Sequence, residues 1–201
     1  MSTTETATTA ATAFRLKGIP EDVLRAIRRG EPDVWGRPAE RFTAEGGEPV
    51  RCCRRDAEVG QPLLLFAFRP PVPGAGTPYQ EVGAVFVHAE TCEAPAVSQY
   101  PPDWRARPQV LRAYDHRGWI HPATRVHDGT DPERHLRDVL ATPGVVEVHS
   151  RNIGYGCWMF SAVAGGGWSP PTAAGDDGGA LRAELPERAV NLERGYRSPG
   201  P

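Results

Sequence analysis

The stretch VVEVHSRNIGYGCWMF, residues 145–160, decides how the chain is read. Two short apolar runs flank a loop containing Gly154 and Gly156, the pattern of a strand, a tight connection and a second strand. Just upstream, TDPERHLRDVLATPG (130–144) carries the marks of a helix. Asp131 can cap it, Pro132 suits the first position, Leu136, Val139 and Leu140 share one face, and Pro143-Gly144 stops it. A helix followed by a hairpin breaks the regular strand–helix–strand alternation of a doubly wound sheet and points to an α+β fold.

Outward from there, FRLKGIPEDVLRAIRRG (14–30) reads as a short strand and a helix. Pro20 fits the first helical position, Glu21 and Asp22 lie near the positive end of the dipole, Val23, Leu24 and Ile27 form the buried stripe, and Gly30 closes the last turn. Residues 31–48 are a loop. VRCCRRDA (50–57), PLLLFAF (62–68) and AVFVHA (84–89) follow as strands, the second bounded by prolines and therefore expected to be central. In QVLRAYDHRGWI the DHRG centre suggests a hairpin of 109–114 with 118–121, and ATRVHDG can add another strand. The expectation is a single α+β domain over residues 13–164, with a mostly antiparallel or mixed sheet and two main helices. Residues 1–12, rich in Thr and Ala, and the Gly/Pro-rich residues 165–201 read as disordered tails, with ALRAELPERAVNLERGY a marginal helix at most.

The 201 residues contain 39% apolar residues, 22 Gly and 21 Pro, an excess concentrated in the loops and tails. A formal net charge of -2 gives no sign of a nucleic-acid binder. Lys17 is the only lysine and lies in an expected edge segment, which argues against a Schiff-base enzyme. The N-terminus has neither a basic start nor an apolar core of a signal peptide, and no run is long enough for a membrane span. A cytoplasmic location follows as the expectation, with Cys52, Cys53, Cys92 and Cys157 as thiols or ligands rather than disulfides. Phosphate-loop, dinucleotide, zinc-protease and nucleophile-elbow motifs are missing from the sequence, so no reaction or cofactor is indicated.

Two stretches echo one another. VFVHAETC places His88 four residues before Cys92, and VEVHSRNIGYGC places His149 eight residues before Cys157. If the two strands are neighbours running the same way, these four residues are weak candidates for a metal site. Against that stand the missing Cys-x-x-Cys pair and the frequency of histidine as an ordinary strand-end residue. Cys157, following two glycines, is also a candidate nucleophile with His149 as base, weighed against the commoner buried, inert cysteine. In RCCRRD, strand alternation sends Cys52 and Cys53 to opposite faces, with Arg51, Cys53 and Arg55 on one side, and so argues against a shared ligand. Tyr79 and Tyr114 can line a pocket with Arg112 and Asp115. His116, His121, His127 and His135 read as exposed surface residues.

Taken in order, FRLKGIP, RCCRRDAEVGQPLLLFAF, TPYQEVGAVFVHAETC, LRAYDHRGWI and VHSRNIGYGCWMF resemble the bacterial family called domain of unknown function 1203, over about residues 13–163. The resemblance implies a small cytoplasmic bacterial protein of one domain and implies no activity, cofactor or catalytic residue. The leading expectation is a small, anionic ligand bound at strand ends by His88, His149, Arg151, Asn152, Tyr79, Arg55 and Asp115. The alternatives are a thiol- or metal-dependent hydrolase or redox enzyme using Cys157 or Cys92 with His149 or His88, and an interaction module without a pocket. Oligomeric state has no signature in the sequence.

Overall fold

The computed structural model describes residues 14–74, 76–93 and 96–165. The tail expectations for 1–12 and for the segment beyond Gly165 lie outside the described residues. The chain runs β1 (Phe14–Lys17), α1 (Glu21–Arg28), β2 (Glu40–Thr43), β3 (Pro49–Val50), β4 (Arg55–Asp56), β5 (Pro62–Phe68) and β6 (Gly83–His88). It continues with β7 (Gln109–Tyr114), β8 (Arg125–His127), α2 (Pro132–Leu140), β9 (Glu147–Asn152) and β10 (Trp158–Ala164). The fold is α+β, but the strands divide between two five-stranded sheets rather than one: β1-β10-β9-β7-β8 and β2-β5-β6-β3-β4.

Both helices start and stop where local chemistry dictates. Asp131 caps α2, its side chain accepting from the Arg134 amide, with Pro132 at the first position. Gly30, at φ 84°, ends α1 in the left-handed region that a side chain disfavours. The opening stretch is the hairpin β9–β10, antiparallel with Ser161 opposite His149. Its turn is closed by Asn152, whose side chain accepts from the Tyr155 amide and whose backbone pairs with Cys157. PLLLFAF is interior as expected, with β2 on one side and β6 on the other. Residues 118–121 fold back on the end of β7 as expected, through an antiparallel bridge of Tyr114 to Ile120 with the Asp115 amide donating to the Trp119 carbonyl and the His121 amide to that of Ala113, while the strand partners of β7 are β8 and β9.

A bulge between Trp158 and Phe160 determines how the first sheet is sandwiched. Phe160 shares a face with Leu111, Ala113, Val148 and Ala162, and that face packs under Leu136, Val139 and Leu140 of α2. Trp158 is turned to the opposite side, into the second sheet's core with Phe68, Leu24 and Ile27. β10 is therefore buried on both faces. The face carrying Glu147, His149 and Arg151 is covered by the β5–β6 connection: the Pro71 carbonyl accepts from His149 Nε2 at 3.1 Å, and Glu81 pairs with Arg112 and Arg151. The two sheets are further tied by buried Arg51, donating to the Trp158 carbonyl, and by Asp56, which accepts from Trp104 Nε1 and Arg107. Among the described residues no helix is long and apolar enough to cross a membrane.

Candidate metal centre

Cys52, Cys53, His88 and Cys92 converge at one end of the second sheet, with one ligand atom from each lying within 4.8 Å of the others. Local backbone explains the convergence. Residues 51–54 are a turn between the two-residue strands β3 and β4, not the continuous strand expected from VRCCRRDA, and Arg54 closes it at φ 54°. Strand alternation does not govern a turn, so both adjacent sulfurs reach the same side. The expectation that Cys52 and Cys53 point apart, and the grouping of Arg51, Cys53 and Arg55 on one face, are corrected by this turn.

Pairing supplies the rest. β3 runs parallel to β6 with Val50 opposite Phe86, and the Arg51 amide donates to the Phe86 carbonyl. Two residues further along each chain, the ladder's next donor, the His88 amide, meets Cys52 Sγ at 3.3 Å. His88 Nδ1 then lies 3.7 Å from both Cys52 Sγ and Cys53 Sγ. Cys92, in the loop after β6, brings its sulfur to 3.0 Å from Cys52 Sγ.

The surroundings orient and balance these groups. His88 Nε2 is 3.1 Å from Gln61 Oε1, which accepts a hydrogen bond from Nε2–H and leaves the Nδ1 lone pair facing the sulfurs. Arg28, the last residue of α1, donates to the His88 carbonyl and places its guanidinium 3.9 Å from Cys92 Sγ. Hydrogen bonds from the Cys53 and Cys92 thiols, with the His88 amide, hold the Cys52 thiol far below its usual range against the opposing effect of burial, while sharing a site with that thiolate pushes Cys53 and Cys92 up. Two thiols around one thiolate, beside an imidazole nitrogen, make a cation-seeking group. Cys52 and Cys53 are buried; Cys53, His88 and Cys92 border a cleft of about 410 Å³ also lined by Arg55, Glu58 and Glu93.

The other expected site residues go elsewhere. His149 is buried in the first sheet between Glu147 and Pro71, its ring against Tyr114 at 4.7 Å. Burial drives its pKa down despite the Glu147 carboxylate. Cys157, just before β10, donates to the Tyr155 carbonyl, and no hydrogen bond joins it to His149 among the described residues. Arg151 and Cys157 line a separate cleft of about 310 Å³ with Glu81 and Gly156. Asn152 is engaged in the β9–β10 turn, Asp115 holds the 115–119 turn through Arg117 and the Trp119 amide, and Tyr79 packs edgewise on Trp119 at 5.8 Å. Tyr114 is fully buried rather than at a pocket wall, and His127 is buried, stacked on His135, rather than exposed. Of the two echoing motifs only VFVHAETC contributes to the cluster; its partners are Cys52 and Cys53, missed because RCCRRD was read by strand alternation.

Residues 47–163 match the family described as "Protein of unknown function (DUF1203)". The chain belongs to this family. All four clustered residues fall inside the span that defines membership of DUF1203. No curated protein and no solved structure matches the chain.

Proposed function

We propose that this DUF1203 protein is a metal-binding protein that holds one zinc ion through Cys52 Sγ, Cys53 Sγ, Cys92 Sγ and His88 Nδ1, within a bacterial cytoplasm that keeps the thiols reduced. The observation that carries the reading is the cluster's spacing. Zn–S and Zn–N bonds of about 2.3 and 2.0–2.1 Å at tetrahedral angles set sulfurs about 3.8 Å apart and sulfur and nitrogen about 3.6 Å apart. The two Cys–His separations of 3.7 Å match the second figure, while the Cys52–Cys92 separation of 3.0 Å is shorter than the first and opens by about 0.8 Å to seat the ion. Three thiolates and an imidazole in a compact group favour zinc over hard, oxygen-seeking cations. Four protein ligands complete the tetrahedron, so the role supported is structural: the ion fastens the β3–β4 turn, the end of β6 and the following loop. The test is metal analysis of the full chain purified under reducing conditions. One zinc per chain, falling sharply in Cys53→Ser, supports the proposal; metal-free protein that takes up no zinc on titration defeats it.

A second reading, the small anionic ligand, is favoured by one feature. Glu81 bridges Arg112 at 2.8 Å and Arg151 at 2.5 Å, so an internal carboxylate already sits in a two-arginine clamp beside the 310 Å³ cleft. Calorimetric titration of Glu81→Ala with inorganic phosphate tests it: heat of binding gained over the wild type and lost again in Glu81→Ala/Arg151→Ala supports the clamp, and no heat in either removes it.

A further inference from the structure

We infer that Cys52 and Cys92 form a dithiol that hydroperoxides oxidise to a disulfide, making the cluster a modification site as well as a metal site. Only the consequence for the ion rests on the zinc reading; the disulfide itself does not need it.

The geometry singles out this pair. The Cys52 and Cys92 sulfurs stand 3.0 Å apart, well inside the spacing of about 3.8 Å that two thiolates keep on one tetrahedral zinc. His88 Nδ1, by contrast, keeps the metal-like 3.7 Å from Cys52 and Cys53. Contraction of one edge of the tetrahedron brings those two sulfurs part-way to the bonded distance of about 2.05 Å. They also come from separate segments, a turn and a loop, so their approach is not limited by a shared peptide unit as it is for adjacent Cys52 and Cys53.

Access is one-sided. Cys92 borders two clefts, of about 410 and 340 Å³, the second lined by Gln61, Pro62, His88, Glu90 and Thr91; Cys53 lines only the first, and Cys52 lines neither. Peroxide therefore reaches Cys92 before Cys52. The Cys92 thiol passes its proton to Cys52 Sγ, 3.0 Å away, as its sulfur attacks one peroxide oxygen; the O–O bond breaks, and hydroxide leaves beside the Arg28 guanidinium, which lies 3.9 Å from Cys92 Sγ, giving a sulfenic acid and drawing the proton back off Cys52. Cys52 sulfur then attacks the Cys92 sulfur, the S–O bond breaks, and a second hydroxide departs. The two hydroxides take up two protons to become water; the sulfurs lose two electrons and the peroxide gains them. A metal that had four ligands is left with Cys53 and His88, and is released.

The experiment treats the zinc-loaded full chain and the metal-free chain in parallel with hydrogen peroxide, blocks remaining thiols, and maps peptides by mass spectrometry while a chromophoric indicator follows zinc. The expected result is a Cys52–Cys92 linked peptide in both samples, with zinc released in step with the link. Cys157→Ser retains the link and Cys92→Ser abolishes it; because Cys92→Ser also removes a ligand, the peptide map of the wild type decides independently of that variant's folding. A Cys52–Cys53 link, or irreversible oxidation of Cys92 without any link, overturns the inference. If the chain takes up no zinc yet forms the Cys52–Cys92 link, the metal reading falls and this one stands; a chain that binds zinc but forms no link in either sample gives the reverse.

Discussion

If the proposed zinc is bound, stripping it should lower the melting temperature of the full chain by about 8–16 °C, a magnitude that follows from where the four side chains lie in the sequence. Cys52 and Cys92 are 40 residues apart, and Cys52 and His88 are 36 apart, so the ion closes one long loop through the second sheet. The chain-entropy relation for a cross-link across 40 residues gives about 4 kcal/mol at 25 °C. Mass action reaches the same size independently: an ion free at about 1,000 times its Kd stabilises the folded state by about 4 kcal/mol. For a chain of 201 residues each kcal/mol moves the midpoint by about 2–4 °C, which yields the range stated. The assay is thermal unfolding by circular dichroism with zinc, with a chelator, and with zinc restored in excess. Cys53→Ser and His88→Ala should melt near the chelated wild type and respond little to chelator. A wild-type midpoint that ignores both chelator and zinc would refute the reasoning, because it would mean that the four side chains meet without a shared cation.

Three further outcomes are expected. Gln61→Leu removes the partner that orients His88 and should weaken zinc affinity about 10–100-fold in chelator competition, with little change in the metal-free melting temperature. Phe160→Ala should cost about 3–5 kcal/mol in denaturant unfolding, since Phe160 is fully buried against Tyr100 and Trp104 beneath α2. His149 should make stability pH-dependent. Burial depresses its folded-state pKa despite Glu147 nearby, with Arg151 adding to the depression, so the unfolded chain takes the proton first as pH falls. Its contribution is complete above the unfolded value of about 6.5 and is lost as pH drops below that toward the folded value. His149→Gln should flatten the melting-temperature profile below about pH 6.5; an unchanged slope would locate the dependence in other groups.

Local signals carried the helices and the final hairpin through to the structure. Asp131, Pro132 and Gly30 act within one turn of themselves, and the apolar runs around Gly154 and Gly156 need only each other to pair. The cysteine–histidine cluster was half legible: VFVHAETC offers His88 and Cys92, but its partners arrive through a parallel β3–β6 pairing across 36 residues, which no local pattern encodes. RCCRRD misled because four of its residues form a turn, where the period of two that separates strand neighbours does not apply. Two cysteines side by side between two-residue strands were the available signal. On the first sheet, Glu147, His149 and Arg151 look like a site in sequence because polar groups alternate along β9. Their alternation instead meets the polar underside of the β5–β6 connection, through Pro71 and Glu81, a long-range cover that sequence spacing does not reveal.

X-ray absorption at the zinc edge, on the full chain loaded with one equivalent of zinc, reads the coordination shell itself. A four-coordinate shell of three sulfurs at about 2.3 Å and one imidazole nitrogen at about 2.0–2.1 Å is expected, losing one sulfur in Cys92→Ser. A first shell of oxygen and nitrogen alone, unchanged by that substitution, would contradict it.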